Sequence, residues 1–251
     1  MYKIKYENGF KYIEEGEGDI LLLLHGLFGE LSNWDSVINF FCLDYRIIIP
    51  IFPIYEKSIK NNNLNSLINF LDNFIKFKKI SFLTLIGNSL GGHLLLLYIL
   101  KKPFLVKRII LTGSSGLFEN FKRTSFPRRS DYNYIKNKIG YTFFSSSISD
   151  KVNIDSVFSM VKNIDQVIRI ISVVRSVRNN NISRLNFNIK IPILLVWGIN
   201  DTITPSFVVH QFNNFMDLST LKFIENCCHA PMMEHPIKFN NILKDFLINN
   251  P

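Results

Sequence analysis

Apolar and polar residues alternate at the start of the chain, through Tyr2-Lys3-Ile4-Lys5-Tyr6 and again from Phe10 to Glu15, with Asn8-Gly9 between them. Alternation sends successive side chains to opposite faces of a strand, and Asn-Gly supplies the positive φ that a tight hairpin turn needs, so an antiparallel hairpin is predicted. The pattern then changes. Asp19–Leu24 is apolar on both faces after its first residue, and similar short runs recur at Arg46–Ile51, Ser81–Ile86, Val106–Leu111, Pro192–Trp197 and Thr220–Ile224. A strand without a polar face belongs in a sheet covered by helices on both sides. Helical periodicity separates these runs. Ser32-Asn33-Trp34-Asp35 opens one helix with a capping residue, and Leu64 to Lys78 places Leu67, Ile68, Leu71, Phe74 and Ile75 on one stripe. Leu90 to Leu100 is apolar nearly all round and is predicted to be buried, while Pro205–Met216 and Pro236–Ile248 each begin with a first-turn proline.

Strands alternating with helices make an α/β fold. The expectation is a mostly parallel, twisted, eight-stranded sheet, opened by an antiparallel hairpin and covered by helices on both faces. The alternation breaks between residues 115 and 189, which hold helix-like pieces at Tyr132–Ile139, Val152–Asn163 and Gln166–Arg178 and no buried strand. Residues 1–251 are therefore read as a single domain, with 115–189 as a helical lid inserted after the sixth strand, over the edge where open α/β sheets carry their sites. The tracts Asn61-Asn62-Asn63 and Asn179-Asn180-Asn181 are read as loops.

Composition narrows the function classes. The chain has 251 residues, 47% of them hydrophobic, enough for a large core. Its net charge of +9 invites a nucleic-acid reading, but the basic residues are scattered and Asn, Ile, Lys and Phe are common throughout, the drift expected of an AT-rich genome, so no nucleic-acid partner is expected. Ile20–Leu24 is too short to span a bilayer, and the N-terminal stretch has no apolar segment of signal-peptide length. No membrane association and a cytoplasmic location are expected. Cys42, Cys227 and Cys228 form no CxxC pair or zinc-spaced cluster and are read as reduced thiols; the chemistry of the four segments below implies no metal or organic cofactor.

Four segments carry chemistry. Gly87-Asn88-Ser89-Leu90-Gly91-Gly92 stands between a predicted strand and a predicted helix, the frame of a nucleophile elbow, where small neighbours allow a serine to sit on a tight turn. His25-Gly26-Leu27-Phe28-Gly29 follows the strand Asp19–Leu24 and can offer a backbone N–H of Leu27, with Phe28 the near alternative, to an oxyanion; the N–H of Leu90 is the expected second donor. Asp201, in the turn Trp197-Gly198-Ile199-Asn200-Asp201, can hold an imidazole in one tautomer, and His229, in Asn226-Cys227-Cys228-His229-Ala230-Pro231, can relay a proton. His25 is read as structural. His93, His210 and His235 lie in or at the start of predicted helices and serve the role less well.

The order Ser89, Asp201, His229 and the segments HGLFG, GNSLGG, WGIND and CHAPMMEHP resemble the α/β-hydrolase fold superfamily, lidded single-domain type, over nearly the whole chain. Within it the chain is similar to small esterases and to the meta-cleavage-product hydrolases, which cleave C–C bonds; Asn88 and Gly113-Ser-Ser-Gly-Leu117 are shared with the latter. The resemblance implies a serine hydrolase of a small ester, thioester or related carbonyl compound, with a C–C bond hydrolase and a non-catalytic receptor as alternatives. Four positions depart from the relatives' pattern. Ala230 stands where the C–C hydrolases carry tryptophan, the position of their lid arginine falls near Met160, Pro50-Ile-Phe-Pro-Ile-Tyr55 replaces an Asp-x-Pro-Gly turn, and Cys228 replaces glycine. Phe28, Asn88, Phe126 and Met232 are expected to bind a small, partly apolar substrate. The lid phenylalanines Phe118, Phe121, Phe126, Phe143 and Phe144 are read first as lid packing, and Arg128-Arg129 as solvated surface or, alternatively, a carboxylate site.

Overall fold

A computed structural model describes residues 2–28, 31–56, 62–120, 127–149, 154–184 and 189–251. Its centre is one eight-stranded sheet: β1 (Lys5–Glu7), β2 (Phe10–Glu15), β3 (Asp19–Leu24), β4 (Tyr45–Pro50), β5 (Leu83–Asn88), β6 (Val106–Thr112), β7 (Ile193–Gly198) and β8 (Ser219–Ile224), in the order β1-β2-β4-β3-β5-β6-β7-β8. The first two strands pair antiparallel, β2 pairs antiparallel with β4, and all pairings from β4 to β8 are parallel. The predicted strands are thus all present. The sheet ends of β5 and β7 lie one or two residues later than the apolar runs alone suggest, because Gly87, Asn88 and Gly198 still pair with β6 and β8.

Strand periodicity divides the core into two. Leu22, Leu24, Ile48, Leu85, Ile109, Leu111, Leu195 and Trp197 face one side, while Leu21, Leu23, Ile47, Ile49, Ile86, Ile110, Leu194 and Val196 face the other. On the first side pack α2 (Leu64–Phe77), α3 (Leu90–Lys101) and α8 (Ser206–Phe215); on the second pack α1 (Asp35–Phe41) and α10 (Pro236–Asn249). The stripe predicted on α2 is buried as a set, and Asn63 caps that helix by accepting a 2.9 Å hydrogen bond from the Ser66 N–H. Every residue of α3 from Leu90 to Ile99 is buried, as its lack of a polar face required.

The insertion between β6 and β7 contains α4 (Tyr132–Gly140), α5 (Ser146–Ser149), α6 (Ile154–Lys162) and α7 (Ile164–Asn179). The single turn α5 was not evident in the apolar pattern, since Ser-Ser-Ile-Ser has no stripe. Helix α7 places Val173 and Val177 in the first core cluster, and α4 and α6 place Ile135, Ile139, Val157 and Val161 in the second, so the insertion spans both layers. Of the tract at 179–181, read as a loop, Asn179 instead ends α7, and the other two residues do more than turn the chain. The carbonyl of Asn180 lies 2.9 Å from His93 Nε2 of α3, and the Asn181 amide donates to the Leu117 carbonyl at 2.8 Å. Among the described residues no helix is long and apolar enough to cross a membrane.

Candidate active site

Ser89 lies between β5 and α3 with φ 54° and ψ −119°, a strained conformation for a residue carrying a Cβ. Three backbone hydrogen bonds hold it: its N–H donates to the Thr112 carbonyl (3.0 Å), and its carbonyl accepts from the His93 and Ser115 N–H groups (both 3.2 Å). The elbow has no space for larger neighbours. A Cβ on Gly87 would stand 2.6 Å from Gly92 N, and one on Gly91 would stand 2.4 Å from the Leu24 carbonyl oxygen. Leu90 begins α3, so its N–H belongs to the first turn, whose donors have no acceptor within the helix.

Asp201 and His229 meet across the ends of β7 and β8. His229 Nδ1 lies 2.8 Å from Asp201 Oδ2, and both side chains are buried. The carboxylate takes three more donors: the N–H groups of Ile203 (2.8 Å) and Thr204 (2.9 Å) on Oδ1, and the Thr204 hydroxyl (2.8 Å) on Oδ2. These bonds fix the direction of the carboxylate, and through it the ring. Burial acts to lower the His229 pKa, but the Asp201 charge and hydrogen bond, with smaller help from Glu119 and Glu234, carry it above the ordinary 6.5. The backbone around the ring is tight. His229 N–H donates to the Thr142 carbonyl (3.0 Å), and Gly113, at φ 52°, leaves so little room that a Cβ there would be 2.8 Å from His229 Nδ1.

Ser89, Leu90, Leu27, Phe28, Asn88 and His229 all line one cavity of about 140 Å³. The sequence-predicted nucleophile, base, oxyanion loop and two of the predicted substrate contacts are therefore brought together. Asn88 also has a second task, since its amide donates to the carbonyls of Thr112 (3.0 Å) and His229 (3.1 Å) and ties the histidine loop to β6. Met232 is not on the cavity. It lies buried in the second core cluster, and its neighbour Met233 lines the cavity instead, because one step along the short helix α9 (Pro231–Glu234) turns the side chain by about 100°. Phe126 and Phe121 lie outside the described residues. Arg128 and Arg129 are not among the lining residues, and Arg128 sits 5.8 Å from the centre of the Tyr134 ring. Of the other lid phenylalanines, Phe143 lines the cavity, while Phe118 and Phe144 are exposed, Phe118 against Phe207.

The rest of the wall is chiefly aliphatic and comes from the insertion: Ile139 of α4, Val157 of α6, and Val173, Val174 and Val177 of α7. Sequence reasoning missed four contributors. Thr204 had a signal, a hydroxyl three residues after a turn aspartate. Glu234 had none: its carboxylate accepts from the Cys228 N–H (2.8 Å) and the Phe144 N–H (2.6 Å), joining the histidine loop to the insertion. Tyr55, from the segment that departs from the relatives' pattern, donates its hydroxyl to the Leu27 carbonyl and so braces the loop after β3. Glu119 lines the cavity beside the His–Asp pair. His25 is a packing residue, with Nδ1 2.8 Å from the Gly26 carbonyl and its ring against Phe52. Among the described residues no group of three or more His, Cys, Asp or Glu side chains could hold a metal ion.

The sequence pattern of the alpha/beta hydrolase fold matches residues 19–140. An alpha/beta hydrolase enzyme from the metagenome of sediments from the lagoon of Mar Chica, Morocco, is 31% identical, with a TM-score of 0.81 and 98% of each chain covered. The 2-hydroxy-6-oxo-6-(2'-aminophenyl)hexa-2,4-dienoic acid hydrolase of Metapseudomonas resinovorans is 24% identical over 94% of this chain and 87% of its own length. The 2-hydroxy-6-oxononadienedioate/2-hydroxy-6-oxononatrienedioate hydrolase of Escherichia coli K12 is 26% identical over 92% and 88%. The chain belongs to the α/β hydrolase fold family. Its buried His–Asp pair, in this fold, is the arrangement of a serine-hydrolase-type enzyme acting on a small carbonyl substrate.

Proposed function

We propose that Ser89, His229 and Asp201 are a catalytic triad, and that the protein hydrolyses a small, mostly apolar carboxylic ester or thioester by covalent acyl transfer. The observation that carries this reading is the 2.8 Å contact of His229 Nδ1 with Asp201 Oδ2, which orients an imidazole that lines the same cavity as Ser89. With Nδ1 committed to the carboxylate, Nε2 is the nitrogen available to take the Ser89 proton. Ser89 Oγ then attacks the carbonyl carbon, and the N–H groups of Leu27 and Leu90 hold the resulting oxyanion. His229 returns the proton to the leaving alkoxide or thiolate, and next takes a proton from the water that attacks the acyl-enzyme, releasing the acid and restoring Ser89. In this reading residues 1–251 act as one domain and 115–189 as its lid, and the free thiols of Cys42, Cys227 and Cys228 suit a cytoplasmic setting.

A second reading, C–C bond hydrolysis of a carboxylated dienone, is favoured by the two dienoate-type hydrolases among the relatives. Both readings are tested together. Purified protein is screened on p-nitrophenyl esters, thioesters and dienones, and Ser89→Ala is screened beside it with a fluorophosphonate probe. Turnover and labelling are expected in the parent and absent in the variant. Undiminished labelling of Ser89→Ala would overturn the nucleophile, and turnover confined to dienones would select the second reading.

A further inference from the structure

Glu119 is a carboxyl group that the proposed mechanism does not use. It lies in the segment joining β6 to the insertion, and that segment is tied down at four points. The Ser115 N–H donates to the Ser89 carbonyl (3.2 Å), and the Gly116 carbonyl accepts from the Ile182 N–H (2.9 Å). The Leu117 carbonyl accepts from the Asn181 amide (2.8 Å), and the Asn120 N–H donates to the Ile203 carbonyl (2.8 Å), within the turn that holds Asp201. The half-buried Glu119 side chain is thereby held in a wall with two sides. One side is the cavity containing Ser89 and His229, and the other is a groove lined by Phe118, Val177, Arg178 and Asn181. Most of the remaining cavity wall is apolar, and among its lining residues Glu119 is the one carboxyl group, with Lys138 the one ammonium group.

We propose that Glu119 is a specificity determinant of this site, admitting substrates whose acyl and leaving groups are neutral or donate a hydrogen bond and turning away substrates that carry a carboxylate. This rests on the ester-hydrolase reading above and separates it from dienoate cleavage, whose substrates are anionic. The groups acting on Glu119 are His229 and Asp201 from the loops after β8 and β7 and Ser115 from its own segment; Lys138 of α4 also lines the cavity, Arg178 of α7 also lines the groove, and Glu234 acts on the same imidazole. Burial pushes the Glu119 carboxyl up to about 7, against the opposing pull of His229 and the Ser115 hydroxyl. Its charged form therefore grows between pH 6 and pH 8, and discrimination against an anionic substrate grows with it.

The test is a ratio. kcat/KM is measured for a matched pair, p-nitrophenyl butyrate and p-nitrophenyl hemisuccinate, at pH 6 and pH 8 in the parent and in Glu119→Gln. Only enzyme with a neutral His229 turns over either ester, so the fraction of protonated imidazole cancels in the kcat/KM ratio, and Lys138 is present in parent and variant. Like charges within one cavity change such a ratio by ~10-fold or more at an effective dielectric near 20. With the Glu119 carboxyl at about 7, the anionic-to-neutral ratio of the parent should fall by about five- to tenfold from pH 6 to pH 8, and at pH 8 Glu119→Gln should raise it by at least about fivefold. The parent's own pH dependence serves if the variant does not fold. Binding of butyramide and succinamate to Ser89→Ala by calorimetry gives the same ratio without turnover, so an absent esterase activity sinks the ester reading and leaves this inference still measured. A ratio that does not move with pH in the parent, or equal binding of the two amides at pH 8, would overturn it.

Discussion

Gly113→Ala tests whether the imidazole is held by close packing as well as by Asp201. The position sits at φ 52°, and the added methyl carbon would lie 2.8 Å from His229 Nδ1, 2.9 Å from its carbonyl oxygen and 3.0 Å from Cε1. Ordinary contacts begin near 3.4 Å, so the ring or its loop must give by about half an ångström. The ring cannot move freely, since Asp201 Oδ2 is 2.8 Å from the same nitrogen and Thr142 holds the His229 N–H. Two effects follow, and they are separable. Left-handed backbone costs alanine about 1–2 kcal/mol, which in a protein of this size lowers Tm by roughly 2–8 °C. Displacement of the base by a fraction of an ångström costs ~10- to 100-fold in kcat, since a full ångström costs about 10². The assay is kcat on a chromogenic ester at a temperature well below both Tm values, with thermal unfolding run beside it. A variant that loses Tm but keeps kcat within about twofold would refute the reasoning, because the methyl would then have been accommodated without touching the base.

Asp201 is the main influence raising the His229 pKa, so the acid limb of kcat/KM should lie above 6.5, activity being lost as pH falls through it. In Asp201→Asn burial prevails, the limb moves below that value and kcat falls by roughly 10⁴; a pH–rate profile that keeps its limb would contradict the pairing. Glu14 of β2 contacts Lys5 (3.0 Å), Lys78 (2.9 Å) and Arg46; burial alone would raise its pKa, but these cations bring it down to about 2. A depressed carboxylate contributes stability above its unfolded value of 4.5 and loses it as pH falls toward 2. Glu14→Gln should therefore be less stable by about 2 kcal/mol at pH 7, and its deficit should shrink between pH 4.5 and pH 2; a deficit constant with pH in chemical unfolding would reject the linkage.

The eight strands, the two-sided sheet and the loops that carry Ser89, Asp201 and His229 could be read from the order of residues alone. Those features are local: an apolar run without a polar face, a glycine pair around a serine, an acid or imidazole just past a strand end. Each is written within about ten consecutive residues, and a parallel sheet brings all its carboxyl ends to one rim. Which side chains around that rim face the cavity depended on long-range packing. Met233 rather than Met232 lines it because a one-residue step on a short helix rotates the side chain by about a third of a turn. Glu119 lines it, and Tyr55 and Glu234 stand behind its loops, because segments far apart in the chain are bonded to the Asp201 turn, Leu27 and Cys228. No periodicity records such contacts, since they depend on where the insertion folds back across the sheet. The loops carrying Ser89, Asp201 and His229 were therefore legible residue by residue, whereas the wall of the cavity beside them was set by packing between distant segments.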